Sequence, residues 1–339
     1  MSLRNIIAAA ILALGSGNEA TSQQNAPKPV ERQEKKAEGI PYTIPVLVIK
    51  YFPLTADKQR IDISVTGNVD AKLDDIRKKC DRQTNELMES LEQGSRFRAY
   101  KNEKAPASLD YVVVDSIEFL EAVPKNEKKP GKADYNKIME RVNIKDYLEK
   151  KNIKEVWIWG YHSKEIAPWE SNMSSPFGDV SNSDCDPKDL PVFDKTYTVY
   201  HYNYQRGTSE AMENHMHQIE WLLRRFGGEL WRSFEGKKGE LRCGNAHFPP
   251  NGKKDYDWAN KEIVMSDIED WKPEGFGEKK ALNCDKWDGN SLKWFVYWTR
   301  SIPGHENGLE YKGKKLTNWW AFIGDYDRAR KDNIGLTEK

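Results

Sequence analysis

Two runs of nearly unbroken apolar and aromatic residues limit what this chain can fold into, YTIPVLVIKYFP from Tyr42 and IKEVWIWGYH ending at His162, and KTYTVYHYNY over 195–204 reads as a further strand. A strand with one wet face alternates apolar with polar residues; runs without alternation belong to strands covered on both faces, as in parallel sheets flanked by helices. Between the first two runs, Leu73, Ile76, Cys80, Thr84, Leu87 and Leu91 recur at spacings of three and four, which predicts an amphipathic helix over 71–93 stopped by Gly94. LDYVVVDSIEFLEAV supplies a further strand, and DYNKIMERVNIKDYLEKKN one or two short helices. The alternation predicts an α/β fold: a layered, mainly parallel sheet with helices on both faces. Beyond Gly228, segments such as CGNAHFPPNGKKDYDW and NCDKWDGNS are rich in turn residues and predict a loop-rich C-terminal part with short strands.

The opening MSLRNIIAAAILALGSGNEA offers a basic residue at Arg4, an apolar run from Ile6 to Leu14 and then small residues, the order of a secretory signal over 1–16. Residues 17–39 are polar, carry too little apolar surface to offset their ordering entropy, and read as a disordered linker. The α/β core then occupies 40–228, and 229–339 packs on the same core. Nothing later is apolar enough over roughly twenty residues to span a membrane. With 53 Lys and Arg against 53 Asp and Glu, no net field gathers nucleic acid. The expected location is secreted, periplasmic or cell-surface. Export permits disulfides, and of Cys80, Cys185, Cys243 and Cys284 the preferred pair is Cys243 with Cys284, both in the C-terminal third; Cys80 reads as buried in its helix.

SEAMENHMHQIEWLL, from Ser209, raises the question of a site on a helix. With Thr208 or Ser209 as N-cap, Met212, Met216, Ile219, Leu223 and Phe226 form one stripe and His215 falls inside it. His217 falls opposite, beside Glu210, Glu213 and Glu220. The two imidazoles therefore face apart and are not the pair of an HExxH motif, which needs a spacing of four. His217 reads as part of a charged solvated face ahead of a metal site. His215 stands between a satisfied core residue and a site residue.

In open α/β sheets ligands collect at the carboxyl ends of strands, where the following helices begin. His162 closes one strand, Arg206 follows another, and His215 lies within the first turns of the next helix. The polar loop SKEIAPWESNMSSPFGDVSNSDCDP adds Glu170 and Asn172, a carboxylate and an amide beside an aromatic wall. His247 sits in a loop stiffened by two prolines. The expected catalytic set is His162, Glu170, Asn172, Arg206, His215 and His247. Metal-ligand candidates are His215, His217, His247, Asp267 and Glu269, for Zn²⁺ or Ca²⁺; Asp267 and Glu269 share a face if their segment is a strand, although a solvated acidic edge is the plainer reading. GxSxG, GxxxxGK[ST], HExxH and a post-strand GxGxxG are all missing from the sequence.

The segments VWIWGYHSKEIAPWESNMSSPFGDVSNSD, YTVYHYNYQRGTSEAMENHMHQIE, CGNAHFPPNGKKDYDW and SDIEDWKPEG resemble a group of exported microbial proteins, some joined to carbohydrate-binding modules, over roughly residues 40–325. The resemblance implies export and a polysaccharide-rich setting, and carries over no catalytic residue. The leading expectation is an exported, hydrolase-like enzyme acting on a glycan or cell-wall polymer. Glu170 or His162 serves as general acid/base, Arg206 holds an anionic or hydroxyl-rich group, and His215 and His247 orient substrate or bind a metal. Two rivals stay open. One is a non-catalytic glycan-binding or adhesion protein using Trp157, Trp159, Trp169 and Trp258 as stacking surface. The other is a metallopeptidase, requiring at least three of His162, His215, His217, His247 and a nearby carboxylate to meet at about 2 Å from one ion.

Overall fold

The computed structural model describes residues 41–339 except 184, 187, 238 and 239; the expected signal and linker lie outside the described residues. Five strands, β1 (Tyr42–Tyr51), β2 (Leu109–Phe119), β3 (Glu155–Gly160), β4 (Asn172–Ser174) and β5 (Tyr197–Asn203), form one sheet in the order β2-β1-β3-β5-β4. The pairs β1–β2, β1–β3 and β3–β5 are parallel, and β4 runs antiparallel to β5. Every residue of β3 and β5 is buried, which accounts for the near-continuous apolar run of β3 and leaves even Thr198, His201 and Asn203 of β5 covered. β2, at the edge, is mostly half-buried.

Eight helices occur among the described residues: α1 (Ile63–Thr66), α2 (Leu73–Gly94), α3 (Tyr135–Arg141), α4 (Ile144–Lys150), α5 (Thr208–Glu235), α6 (Ser291–Thr299), α7 (Ala321–Gly324) and α8 (Tyr326–Lys331). The chain is thus mixed α/β with a mostly parallel sheet. α2 buries the stripe its spacing predicts, Leu73, Ile76, Cys80, Thr84, Leu87 and Leu91, and its first turn carries Asp74 and Asp75 at the positive end of the helix dipole. α5 starts one residue earlier than expected. Gly207 is its N-cap, and the Thr208 hydroxyl instead bonds the Glu86 carboxylate of α2, fastening the two helices. Gly228, at φ 50°, ψ −121°, breaks α5 in a backbone conformation that a side chain would strain. β4 is a short antiparallel strand inside the segment that reads as polar loop, because its three residues add to the β5 edge.

One apolar core runs from Ile44 to Leu336 without interruption, and Trp231, Trp271, Trp287, Trp294, Trp298, Trp319 and Trp320 of the C-terminal part are buried in it. Each such ring removes roughly 150–250 Å² from water, so indole burial anchors this part of the chain. A disulfide does not. All four cysteines are free thiols, correcting the expected Cys243–Cys284 bridge. Cys243 is packed beside Ser301 under the Arg242 and Asp267 charges, whereas Cys284 opens a 3-10 turn whose first N–H donates to Asn260 O. Cys80 is buried in α2 as expected. No helix among the described residues is long and apolar enough to cross a membrane.

Candidate functional site

Because β3 and β5 are parallel neighbours, the chain leaves both strands at the same end of the sheet. Gly160, the last residue of β3, makes this possible at close range: a Cβ there would collide with the His201 ring on β5. Beyond the strand ends opens a cleft of about 590 Å³, whose lining includes His162, Glu170, Arg206, Glu210, Glu213 and Tyr256. The His162 carbonyl accepts from Gln205 Nε2 at 3.1 Å, tying the two post-strand segments together. Arg206 reaches Glu210 at 3.5 Å, and Glu210 and Glu213 follow at a spacing that puts both on the cleft side of α5. The Glu170 carboxylate accepts from Asn182 Nδ2, and Asn182 Oδ1 accepts from Trp221 Nε1. Tyr256, 53% exposed, stands edge-on to Trp258 at 5.1 Å and against the His247 ring at 4.4 Å. His201 also faces the cleft; its Nδ1 pairs with the Tyr135 hydroxyl at 3.1 Å, while its Nε2 has no protein partner among the described residues.

One side of the cleft holds a tighter cluster. Glu213 Oε1 lies 2.9 Å from His247 Nε2 and 3.6 Å from His217 Nε2, and the two rings meet edge-to-face at 4.6 Å. His217 Nδ1 lies 3.1 Å from Glu220 Oε2, and the other Glu220 oxygen accepts the Ala246 N–H at 2.9 Å. The loop bearing His247 is held by its own polar side chain: Asn245 Oδ1 accepts from His247 N at 3.1 Å and Phe248 N at 2.9 Å, an Asx turn. Trp258 Nε1 donates to Ala246 O at 3.1 Å from below.

Protonation follows from these neighbours. Burial disfavours the Glu213 carboxylate, but hydrogen bonds and charge from His217 and His247 outweigh it and bring its pKa down to about 2. Burial likewise opposes a charged His217, yet Glu213 and Glu220 raise its pKa to about 10. Glu210 moves the other way. Burial, only partly offset by Arg206 and reinforced by Glu213 and Glu170, lifts it to about 7. Burial also raises Glu170, with His217 opposing. Carboxyl groups of opposite proton affinity therefore share one cavity.

Of the expected site residues, the structure brings His162, Glu170 and Arg206 to the cleft and sets His247 in the adjoining cluster. His215 belongs elsewhere. It is buried, stacks on Tyr200 at 3.8 Å and places Nε2 2.7 Å from the Tyr202 hydroxyl, a core histidine whose pKa burial lowers to about 3. Asn172 is buried within β4 and does not line the cleft. His217 is not on a solvated face: its side chain is 12% exposed, because the 243–248 loop covers that side of α5. Asp267 and Glu269 are not a strand pair; Asp267 caps a 3-10 turn over Ile268–Asp270 that contains Glu269. Each is neutralised locally, Asp267 by Arg242 at 2.6 Å and Glu269 by Lys286 at 3.0 Å and the Tyr297 hydroxyl at 2.9 Å, which leaves neither free for Ca²⁺. Trp157, Trp159 and Trp169 are buried and present no stacking platform; Trp258 alone of that set reaches the cleft.

Sequence reasoning passed over Glu210, Glu213, Glu220, Tyr256 and His201 as site residues. The available signal was the spacing of Glu213, His217 and Glu220 by four and then three, which aligns all three on one face. No known family model matches the chain, and no curated protein matches it.

Proposed function

We propose that this protein is an exported hydrolase acting on a glycan or cell-wall polymer in the cleft at the strand carboxyl ends. The observation that carries the reading is the convergence of Glu170 and Glu210 on one cavity that also holds His162 and Arg206. Glu210, with proton affinity raised to about pH 7, keeps a proton to give to the leaving oxygen. Glu170 takes the proton of the attacking water, whose oxygen ends on the electrophilic carbon as the bond to the leaving oxygen breaks. Arg206 at the rim holds anionic or hydroxyl-rich groups, and the exposed Tyr256 ring gives a sugar face something to stack on. The sequence resemblance and the N-terminal signal pattern support export and a polysaccharide setting. In this reading helices cover both sheet faces and a loop-rich C-terminal part drapes over the core to wall the cleft.

The test is a degradation screen of purified protein on polysaccharides and cell-wall polymers, with Glu210→Gln and Glu170→Gln in parallel. Wild type releases product, and each variant loses about 10²–10⁴-fold in rate with its melting temperature unchanged, the usual size of a general acid/base contribution. Absence of product from every polymer, or full rates in both variants, refutes the assignment.

A further inference from the structure

We propose that Glu213, His217 and His247 form a binding site for one divalent transition-metal ion of the Zn²⁺ class. One carboxylate oxygen and two imidazole nitrogens lie within 4.8 Å of one another. Ligands about 2.0–2.2 Å from a tetrahedral ion are themselves about 3.4 Å apart, so small side-chain adjustments close the set around an ion.

Ring orientation makes the stronger argument. Both imidazoles aim Nε2 at the same Glu213 oxygen; Glu220 backs the Nδ1 of His217 at hydrogen-bond distance, 3.1 Å, while Asp255 stands 3.8 Å from the Nδ1 of His247, beyond that reach. A metal-bound histidine characteristically gives its other nitrogen to a carboxylate or carbonyl, which fixes the tautomer and the aim of the ring. His217 has such an arm, and as an ion takes the lone pair of its Nε2 the imidazolium proton held there would be released to solvent, so binding is coupled to proton release. The supports are rigid as well, two ligands one turn apart on α5 and the third on a loop pinned by Asn245.

Donor chemistry selects the ion. Two nitrogens and one oxygen suit Zn²⁺, Co²⁺ or Ni²⁺, whereas Ca²⁺ and Mg²⁺ demand oxygen shells the cluster lacks. The carboxylates of Glu170 and Glu220 add negative potential that favours a dication. Three protein ligands leave a coordination position open, and Glu213 lines the cleft, the arrangement of catalytic rather than structural zinc. A bound ion there would acidify a water next to the acid/base groups proposed above. The site itself stands apart from the hydrolytic reading, since occupancy is measured without any substrate.

Full-length protein stripped with chelator and then dialysed is titrated with ZnCl₂ by calorimetry and with CoCl₂ by visible absorption. Expected are one Zn²⁺ per chain and a Co²⁺ spectrum of four- or five-coordinate nitrogen–oxygen ligation. His247→Ala, on a partly exposed loop, is expected to fold and to weaken Zn²⁺ binding at least tenfold, as is Glu213→Gln; CaCl₂ does not compete. Uptake below about a tenth of an equivalent by wild type, or an unchanged Zn²⁺ affinity in His247→Ala, overturns the proposal whether or not the polymer screen finds activity.

Discussion

His215 and His217 stand two residues apart on α5 and meet opposite surroundings. His215 lies among Tyr200, Tyr202 and Trp157, with a phenol at its Nε2 and no carboxylate on it; burial alone drives it neutral, its pKa down to about 3. His217 is nearly as covered, yet Glu213 and Glu220 hold it charged, its pKa near 10 despite the burial. Two residues turn a helix by about 200°, so each side chain meets a different neighbour. His215 is 1% exposed and the His217 side chain 12%. The difference shows that partner chemistry, acting together with burial, sets whether an imidazole serves as packing or as a charged site.

The largest test of this contrast is His215→Ala. It removes a stacked ring from a filled core and leaves the Tyr202 hydroxyl without its partner, so about 3–5 kcal/mol of folding stability should be lost, measured by urea unfolding. Zn²⁺ affinity should not change. A tenfold loss of affinity with the fold intact would mean the faces are coupled and the division between them is wrong.

Two further buried ionisable groups, Glu155 on the sheet and His201 facing the cleft, have opposing effects on stability. Glu155, on β3, accepts from Trp157 Nε1 at 2.7 Å, and burial raises its pKa to about 8. The folded chain therefore keeps a proton that the unfolded chain releases near its ordinary value of 4.5, and stability falls as pH rises from there through 8. Glu155→Gln, an amide in place of the neutral acid, should stabilise by about 4 kcal/mol at pH 8 and by little at pH 4. His201 has the reverse sign: burial lowers it to about 3, so stability falls as pH drops from 6.5 toward 3. His201→Gln should flatten that acid limb. Urea midpoints between pH 4 and 9 check both, and a wild-type midpoint independent of pH would show that neither group is sealed as described.

The sheet was legible because burial on both faces writes itself into sequence: β1 and β3 are apolar almost throughout, and their charged residues, Lys50 and Glu155, still lie buried. The meeting of His162 with Arg206 followed from the same parallel pairing, since the chain leaves two neighbouring strands at one end. The face of α5 carrying His217 was placed correctly by helical geometry, but its burial was not, because that depends on a loop some thirty residues away whose docking by Ala246 and Asn245 has no periodicity to read. β4 was hidden for a related reason: three residues are too few for any pattern, and they pair only because the β5 edge is there. Asp267 and Glu269 misled because alternate residues share a face only in a strand, and these sit in a 3-10 turn.

The smallest expected effects concern the outer carboxylates on the open face. Glu220 backs His217 from a buried position and also holds Ala246 N, so Glu220→Gln should weaken Zn²⁺ binding about tenfold by loosening the aim of the ring and lowering its basicity. Asp255 is 63% exposed and stands 3.8 Å from His247, where solvent screens the pair; Asp255→Asn should change affinity by less than about threefold. Calorimetric titration of the two variants side by side orders them. If Asp255→Asn proved the more damaging, the backing carboxylate would act through long-range charge and not through a fixed hydrogen bond. His247 would then owe its place in the cluster to net potential, the property on which it differs least from a merely solvated histidine.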